Sequence, residues 1–129
     1  MIYHSSVSHW NDLITKSEKA FAADGPAFLN VISMCHRGWR FPPQDTVHVS
    51  KLAVETCFWP LYEIVNGKLK ITYKPKNKLP VSDWTKLQGR FKHLQKAENA
   101  HIVEEIQKEV DEDWEALLRR ESFDQGESK

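Results

Sequence analysis

Residues 27–34 carry the pattern that most limits what this chain can fold into. Ala27, Phe28, Leu29, Val31, Ile32 and Met34 are interrupted only by Asn30 and Ser33. A run so short and so continuously apolar suits a strand buried on both faces of a parallel sheet, with helices above and below it. The residues before it agree. Residues 8–23 read as an amphipathic helix that Ser8 can cap, with Trp10, Leu13, Ile14 and Phe21 on one face. Asp24-Gly25-Pro26 then stops it. Helix, turn and buried strand are the last parts of an open α/β sheet. One central strand cannot make a parallel sheet alone, so the doubly wound pattern requires neighbours that this sequence does not contain.

The segment after the strand leaves the sheet at the strand's carboxyl end, the edge at which open α/β sheets bind ligands. It reads Cys35-His36-Arg37-Gly38-Trp39-Arg40-Phe41-Pro42-Pro43, and its glycine and prolines predict irregular backbone over 35–45. Residues 46–57 predict a short helix with Val49, Leu52, Ala53 and Thr56 on one side. Residues 59–73 give the clearest local signal. Two alternating runs flank Asn66-Gly67, a pair suited to a hairpin turn because both turn positions need positive φ. Residues 74–80 form a basic, proline-bounded loop, read as solvated, although its lysines could touch an acidic partner. A helix that Ser82 can cap carries Trp84, Leu87, Phe91 and Leu94. A last helix over about 98–121 carries Ile102, Ile106, Val110, Trp114, Leu117 and Leu118, with its acidic side in solvent. Residues 122–129 are expected to be a disordered tail.

Composition narrows the function. In 129 residues, 18 basic and 18 acidic side chains cancel to a formal net charge of zero. That balance argues against nucleic-acid binding by bulk electrostatics and against a polybasic membrane-surface role. No signal peptide is expected, and no apolar run approaches the length of a membrane span. Two cysteines cannot build a disulfide framework and fit a reducing cytoplasm. Five tryptophans are many for one such domain and point to interfaces.

Cys35 is the leading candidate for chemistry. A thiolate there would lie at the ligand edge beside His36 and Arg37, whose positive charge favours deprotonation. Read from its own residue type, it is more often a packed side chain. Cys57, beside Phe58 and Trp59, reads as core. The two cysteines and the histidines lack the paired short spacings of a zinc site. His4, His9, His93 and His101 read as surface residues. Arg37 and Arg40 could bind an anion or pair with carboxylates across an interface.

The sequence nonetheless resembles a known family. Gly25-Pro26-Ala27-Phe28 leading into a strand, followed by Cys35 and Gly38-Trp39-Arg40-Phe41, is similar to the C-terminal third of the β subunit of pyruvate:ferredoxin oxidoreductase and its 2-oxoisovalerate relatives. Leu52-Ala53-Val54-Glu55-Thr56 with Trp59-Pro60-Leu61-Tyr62-Glu63, and Leu87-Gln88-Gly89-Arg90-Phe91-Lys92-His93-Leu94, continue the match in register. The resemblance runs from about Ser5 to about Leu118.

The resemblance implies an α/β fold, the C-terminal portion of a thiamine diphosphate-binding doubly wound domain with an added hairpin and C-terminal helices. The family oxidatively decarboxylates a 2-oxoacid, forms an acyl-CoA and reduces ferredoxin, using thiamine diphosphate with magnesium and iron–sulfur clusters. Cys35 matches the family's fourth ligand to the [4Fe–4S] cluster nearest the thiamine diphosphate, which overturns its reading as a packed residue. Cys57 matches no ligand. His36 and Arg37 depart from the small and polar residues expected there. The family's early paired cysteines and its Gly-Asp-Gly stretch are missing from this sequence. Residues 1–129 therefore read as a single partial domain that is not catalytic alone. Its implied partners are the remainder of the β subunit, the α and other subunits, and ferredoxin. A different reading is a free-standing interaction domain with no redox role, and a third is a thiol enzyme built on Cys35.

Overall fold

The computed structural model describes residues 1–126. It is a mixed α/β arrangement around a four-stranded sheet. The strands are β1 (Ile2–Ser6), β2 (Phe28–Ile32), β3 (Leu61–Val65) and β4 (Lys68–Tyr73), in the spatial order β2-β1-β3-β4. Strands β1 and β2 are parallel, with Ile2 opposite Phe28 and Ser6 opposite Ile32; the remaining pairs are antiparallel. The helix α1 (Trp10–Phe21) joins β1 to β2, as a parallel pair requires.

The hairpin β3–β4 forms where Asn66-Gly67 predicts it. Asn66 (φ 52°) and Gly67 (φ 78°) both occupy the left-handed region, as the mirror-image turn of a two-residue hairpin demands. Helix α3 (Thr46–Glu55) also lies where its pattern places it. Val49 and Ala53 are buried, and they meet Met34, Phe41, Cys57, Val81, Trp84 and Val110 in the core.

Strand β1 was not expected. Its sequence, Ile2-Tyr3-His4-Ser5-Ser6, lacks an apolar alternation, yet residues 3–6 are all buried. The fold tolerates this because the polar atoms have partners. The Ser5 hydroxyl donates to Asp12 Oδ2 at 2.8 Å, and the Ser5 carbonyl accepts the Trp59 indole N–H at 2.8 Å. His4 is accordingly no surface residue. Its ring stacks 4.0 Å from Trp59 and 4.8 Å from Tyr62, and its Nδ1 lies 2.6 Å from the Pro60 carbonyl oxygen.

Helix α1 is turned inside out relative to its hydrophobic pattern. Its charged stripe faces the sheet. Lys16, 1% exposed, donates to the His4 carbonyl (2.7 Å), Asp12 (2.8 Å) and Thr72 Oγ1 (2.8 Å), and Lys19 pairs with Glu63. The apolar stripe faces outward, with Trp10 63%, Ile14 50% and Phe21 91% exposed. Phe28, at the start of β2, is exposed as well, and β2 is an edge strand rather than a strand covered on both faces. His9 rather than Ser8 precedes the helix, without a side-chain cap.

The opposite edge of the sheet is closed by α5 (Ala100–Asp124). Glu121 accepts the backbone N–H of Ile71 at 2.7 Å, Asp124 accepts that of Leu69 at 2.9 Å, and Gln125 donates to the Leu69 carbonyl at 2.9 Å. These side chains stand where a neighbouring strand's backbone would be. The helix thus passes the expected start of the tail at residue 122, because Asp124 and Gln125 have work to do on β4; residues 127–129 lie outside the described residues. The acidic side of α5 is not purely solvated, and the loop over 74–80 is not free of it: Lys74 pairs with Glu121 and Lys78 with Asp111.

Candidate functional site

The carboxyl end of β2 delivers the chain to Cys35, where the backbone turns into the one-turn helix α2 (His36–Trp39). The sequence predicts irregular backbone here. The short helix forms nonetheless, because the Cys35 carbonyl accepts the Trp39 N–H (3.0 Å) and the His36 carbonyl accepts that of Arg40 (2.9 Å). Arg40 then takes a left-handed conformation, φ 58°, which ends the turn and sends Phe41 into the core.

Cys35 is exposed and unpaired with Cys57. Its sulfur makes no capping hydrogen bond to α2, but the nearby backbone N–H groups of Gly38 and Arg37, followed by the Arg37 charge, hold its thiol below the ordinary range. Cys57 is the opposite case. It is 4% exposed in the core, and burial pushes its thiol up to about 11. The reading of Cys57 as a core residue therefore holds, and Cys35 is not a packed side chain.

The predicted single helix through Trp84 and Leu94 is broken in two. Helix α4 (Val81–Thr85) follows Pro80 rather than a Ser82 cap, and residues Gly89–Gln95 form separate, tighter 3₁₀ turns that kink at Phe91. The break brings the two stretches 38–41 and 87–94 together. Gly89 donates its N–H to the Arg40 carbonyl at 2.7 Å. A Cβ on residue 89 would stand 2.7 Å from Arg40 Cβ and 2.9 Å from its carbonyl oxygen, so only glycine fits without a shift. The Arg90 guanidinium lies 3.6 Å over the Trp39 ring and 4.4 Å from that of Phe91. Its Nε donates to Gln88 Oε1 (2.8 Å), and the buried Gln88 amide donates in turn to the Trp84 carbonyl (3.1 Å). Trp39 meets Trp84 edge-on at 6.0 Å.

Sequence reasoning found Cys35 but not this clamp on its loop. Gly89 and Arg90 are about 50 residues from Trp39 and Arg40 in the chain, and no local pattern links them. The stretch 59–63 does not join the site. Trp59 and Glu63 serve the sheet through Ser5, His4 and Lys19. Among the described residues there is no group of three or more His, Cys, Asp or Glu side chains able to hold a metal ion. The chemistry at Cys35 is that of one exposed, thiolate-prone sulfur, which fits a single corner of a cluster and not a whole binding site.

A partial α/β unit with one exposed cysteine at a strand's carboxyl end is therefore the class of structure in hand. No family model matches the chain. It is 48% identical over 118 residues to the pyruvate synthase subunit PorB of Thermotoga maritima, which covers 91% of this chain and 36% of that protein. It is 42% identical over 106 residues to the corresponding subunit of Methanocaldococcus jannaschii, covering 82% and 34%. It is 41% identical over 117 residues to the ketoisovalerate oxidoreductase subunit VorB of Pyrococcus horikoshii, covering 89% and 36%. The chain belongs to this family of 2-oxoacid oxidoreductase subunits and corresponds to a C-terminal part of them. It spans about a third of the length of the relatives it matches.

Proposed function

We propose that this chain is the segment of a 2-oxoacid:ferredoxin oxidoreductase β subunit that supplies one ligand, Cys35, to a [4Fe–4S] cluster, together with an assembly surface. The activity it serves is oxidative decarboxylation of a 2-oxoacid to an acyl-CoA with reduction of ferredoxin. Thiamine diphosphate and magnesium are held by the remainder of the β subunit, and the chain turns nothing over alone. Its place is the cytoplasm; among the described residues no helix is long and apolar enough to cross a membrane.

The observation that carries the ligand role is the environment of Cys35. Its sulfur is exposed, so a cluster can reach it, and two backbone N–H groups favour the thiolate that an iron requires. When bound, such a cluster accepts and passes single electrons. The N–H groups of Gly38 and Arg37, and the Arg37 charge, are this chain's own means of tuning it.

Two features support the assembly role. The outward stripe of Trp10, Ile14 and Phe21 and the open edge of β2 are apolar and backbone surfaces that a larger sheet would cover. Both lie on the same βαβ unit. The free-standing interaction reading is thereby absorbed: the surface it needs exists, and the rest of the subunit is its partner.

The test is replacement of Cys35 by alanine in the assembled complex. The reduced protein should lose the paramagnetic resonance signal of one cluster, with iron content falling accordingly, and keep its thiamine diphosphate. A full iron count with an unchanged cluster spectrum would remove Cys35 from the ligand set.

A further inference from the structure

The sheet has two faces, and α1 covers one of them. Ser5, Glu63 and Thr72 turn their side chains to α1, which meets them through Asp12, Lys19 and Lys16. Side chains alternate along a strand, so Ile2, His4, Tyr62, Ile64 and Leu69 point the other way. On that opposite face one apolar row crosses all four strands. Phe28 stands opposite Ile2, Ile2 opposite Ile64, and Ile64 opposite Leu69. Leu69, at the β4 end, is 2% exposed, whereas Ile2 and Phe28, toward β2, are 41% and 63% exposed. The row is covered beside α5 and bare at its other end. Where covered and bare parts meet lies a groove of about 550 Å³, walled by Tyr62, Ile64 and Leu69 of the sheet and by Val110, Trp114 and Leu117 of α5. Its lip carries Glu109 and Asp113, four residues apart on α5, both exposed and without an ion-pair partner among the described residues. Like charges at this spacing repel each other, and a cation laid between them relieves the repulsion.

We propose that this face seats an amphipathic helix from the part of the subunit that precedes this segment, with an apolar side chain in the groove and a lysine or arginine at Glu109 and Asp113. A helix fits because a parallel pair such as β1–β2 is covered by helices on both faces, and α1 serves only one. The source of the occupant follows from length and order. The match takes up about a third of each relative and is their C-terminal part, so about two thirds of the subunit comes before it. In the relatives that part leads into the sheet through the counterpart of β1, the strand that carries Ile2, which places it beside the bare face at high effective concentration. This seat rests on the proposed place of the chain in such a subunit, but on nothing at Cys35.

The test uses the assembled oxidoreductase that contains this chain, with a photoreactive benzoylphenylalanine in place of Phe28 or of Asp113. Both positions are exposed, so neither change disturbs the core. After irradiation, peptide mass spectrometry should place both adducts on one segment of the preceding part of the subunit, with apolar residues at helical spacing and at least one lysine or arginine. Adducts on another subunit, on a second copy of this chain or on unrelated segments would overturn the seat, and so would the lack of any adduct in an intact complex. Glu109→Arg/Asp113→Arg tests the charge. At low salt the share of this chain that stays with the complex in gel filtration should fall roughly threefold or more, and recover as salt screens the repulsion. An unchanged share would overturn the basic flank of the occupant. Neither readout involves iron, so failure here and failure of Cys35 as a ligand are told apart.

Discussion

Lys16 offers the sharpest test of why α1 lies with its charged side inward. Its ammonium is 1% exposed and donates to three acceptors within 2.8 Å: the His4 carbonyl, Asp12 Oδ2 and Thr72 Oγ1. All three donors are used, so the cost of burying the charge is offset on every side. Lys16→Met keeps the side chain's length and apolar stem and removes the charge. It strands the Asp12 carboxylate, 17% exposed, with the Ser5 hydroxyl as its remaining hydrogen-bond partner among the described residues. Breaking one side of a buried pair costs about 3–5 kcal/mol, a large part of the ~5–15 kcal/mol that holds an ordinary domain together. Lys16→Met/Asp12→Leu removes both charges. It removes the stranded carboxylate and should recover part of that loss, leaving about 1 kcal/mol for each group that loses its partner, the Ser5 and Thr72 hydroxyls and the His4 carbonyl. Urea unfolding followed by tryptophan fluorescence reads all three chains. A single-variant loss under about 1 kcal/mol is what an exposed pair gives. That result, or a double variant no better than the single, would show that α1 is not held by this network.

Other outcomes follow from the same geometry. Trp10→Ser/Phe21→Ser should change the chain's own stability by no more than about 0.5 kcal/mol, since both side chains are exposed. It should reduce self-association in sedimentation and weaken capture by the remainder of the subunit. Burial, the largest cause, and the Lys16 charge lower the pKa of His4 from 6.5, against a hydrogen bond to Pro60 that raises it. The unfolded chain therefore binds the proton more readily, and the contribution of His4 to stability is present above pH 6.5 and lost as pH falls toward the lowered value. The urea midpoint should drop across that window, and less steeply in His4→Phe; an equal drop in both would assign the effect elsewhere. Glu121→Ala/Asp124→Ala should speed amide hydrogen exchange at Leu69 and Ile71 and cost about 1–3 kcal/mol. Unchanged exchange at those two amides would mean that α5 does not guard the strand.

What could be read from the sequence was whatever is decided locally. The Asn66-Gly67 turn needs only its own two residues, and the face of α3 needs only its spacing. Cys57 lies among Phe58 and Trp59 and packs accordingly. What escaped depends on distant partners. Strand β1 hides Ser5 behind bonds to Asp12 and Trp59 and Ser6 behind one to Ser8, so its sequence shows no strand alternation. The stripe on α1 is legible as a stripe, but its direction is set by Lys16, Asp12 and Lys19 finding β-strand partners. The helix through Leu94 breaks because Gly89 must approach Arg40. At the site, Cys35 shows itself by following a strand at the ligand edge, whereas Arg90 over Trp39 exists only after folding.

The closing of β4 by Glu121, Asp124 and Gln125 gives the sheet a polarity of growth. A strand from elsewhere that tried to add beside β4 would have to displace two carboxylates and an amide already bonded to its backbone. Beside β2, the other edge strand, no such side-chain bond to the strand's backbone stands among the described residues. The two ends of one sheet thus behave as a terminator and a primer. Any chain that joins this one, a rightful partner or a misfolded neighbour, is steered to the β2 end. Substitutions that open β4 would then be felt first as loss of order in assembly rather than as loss of fold.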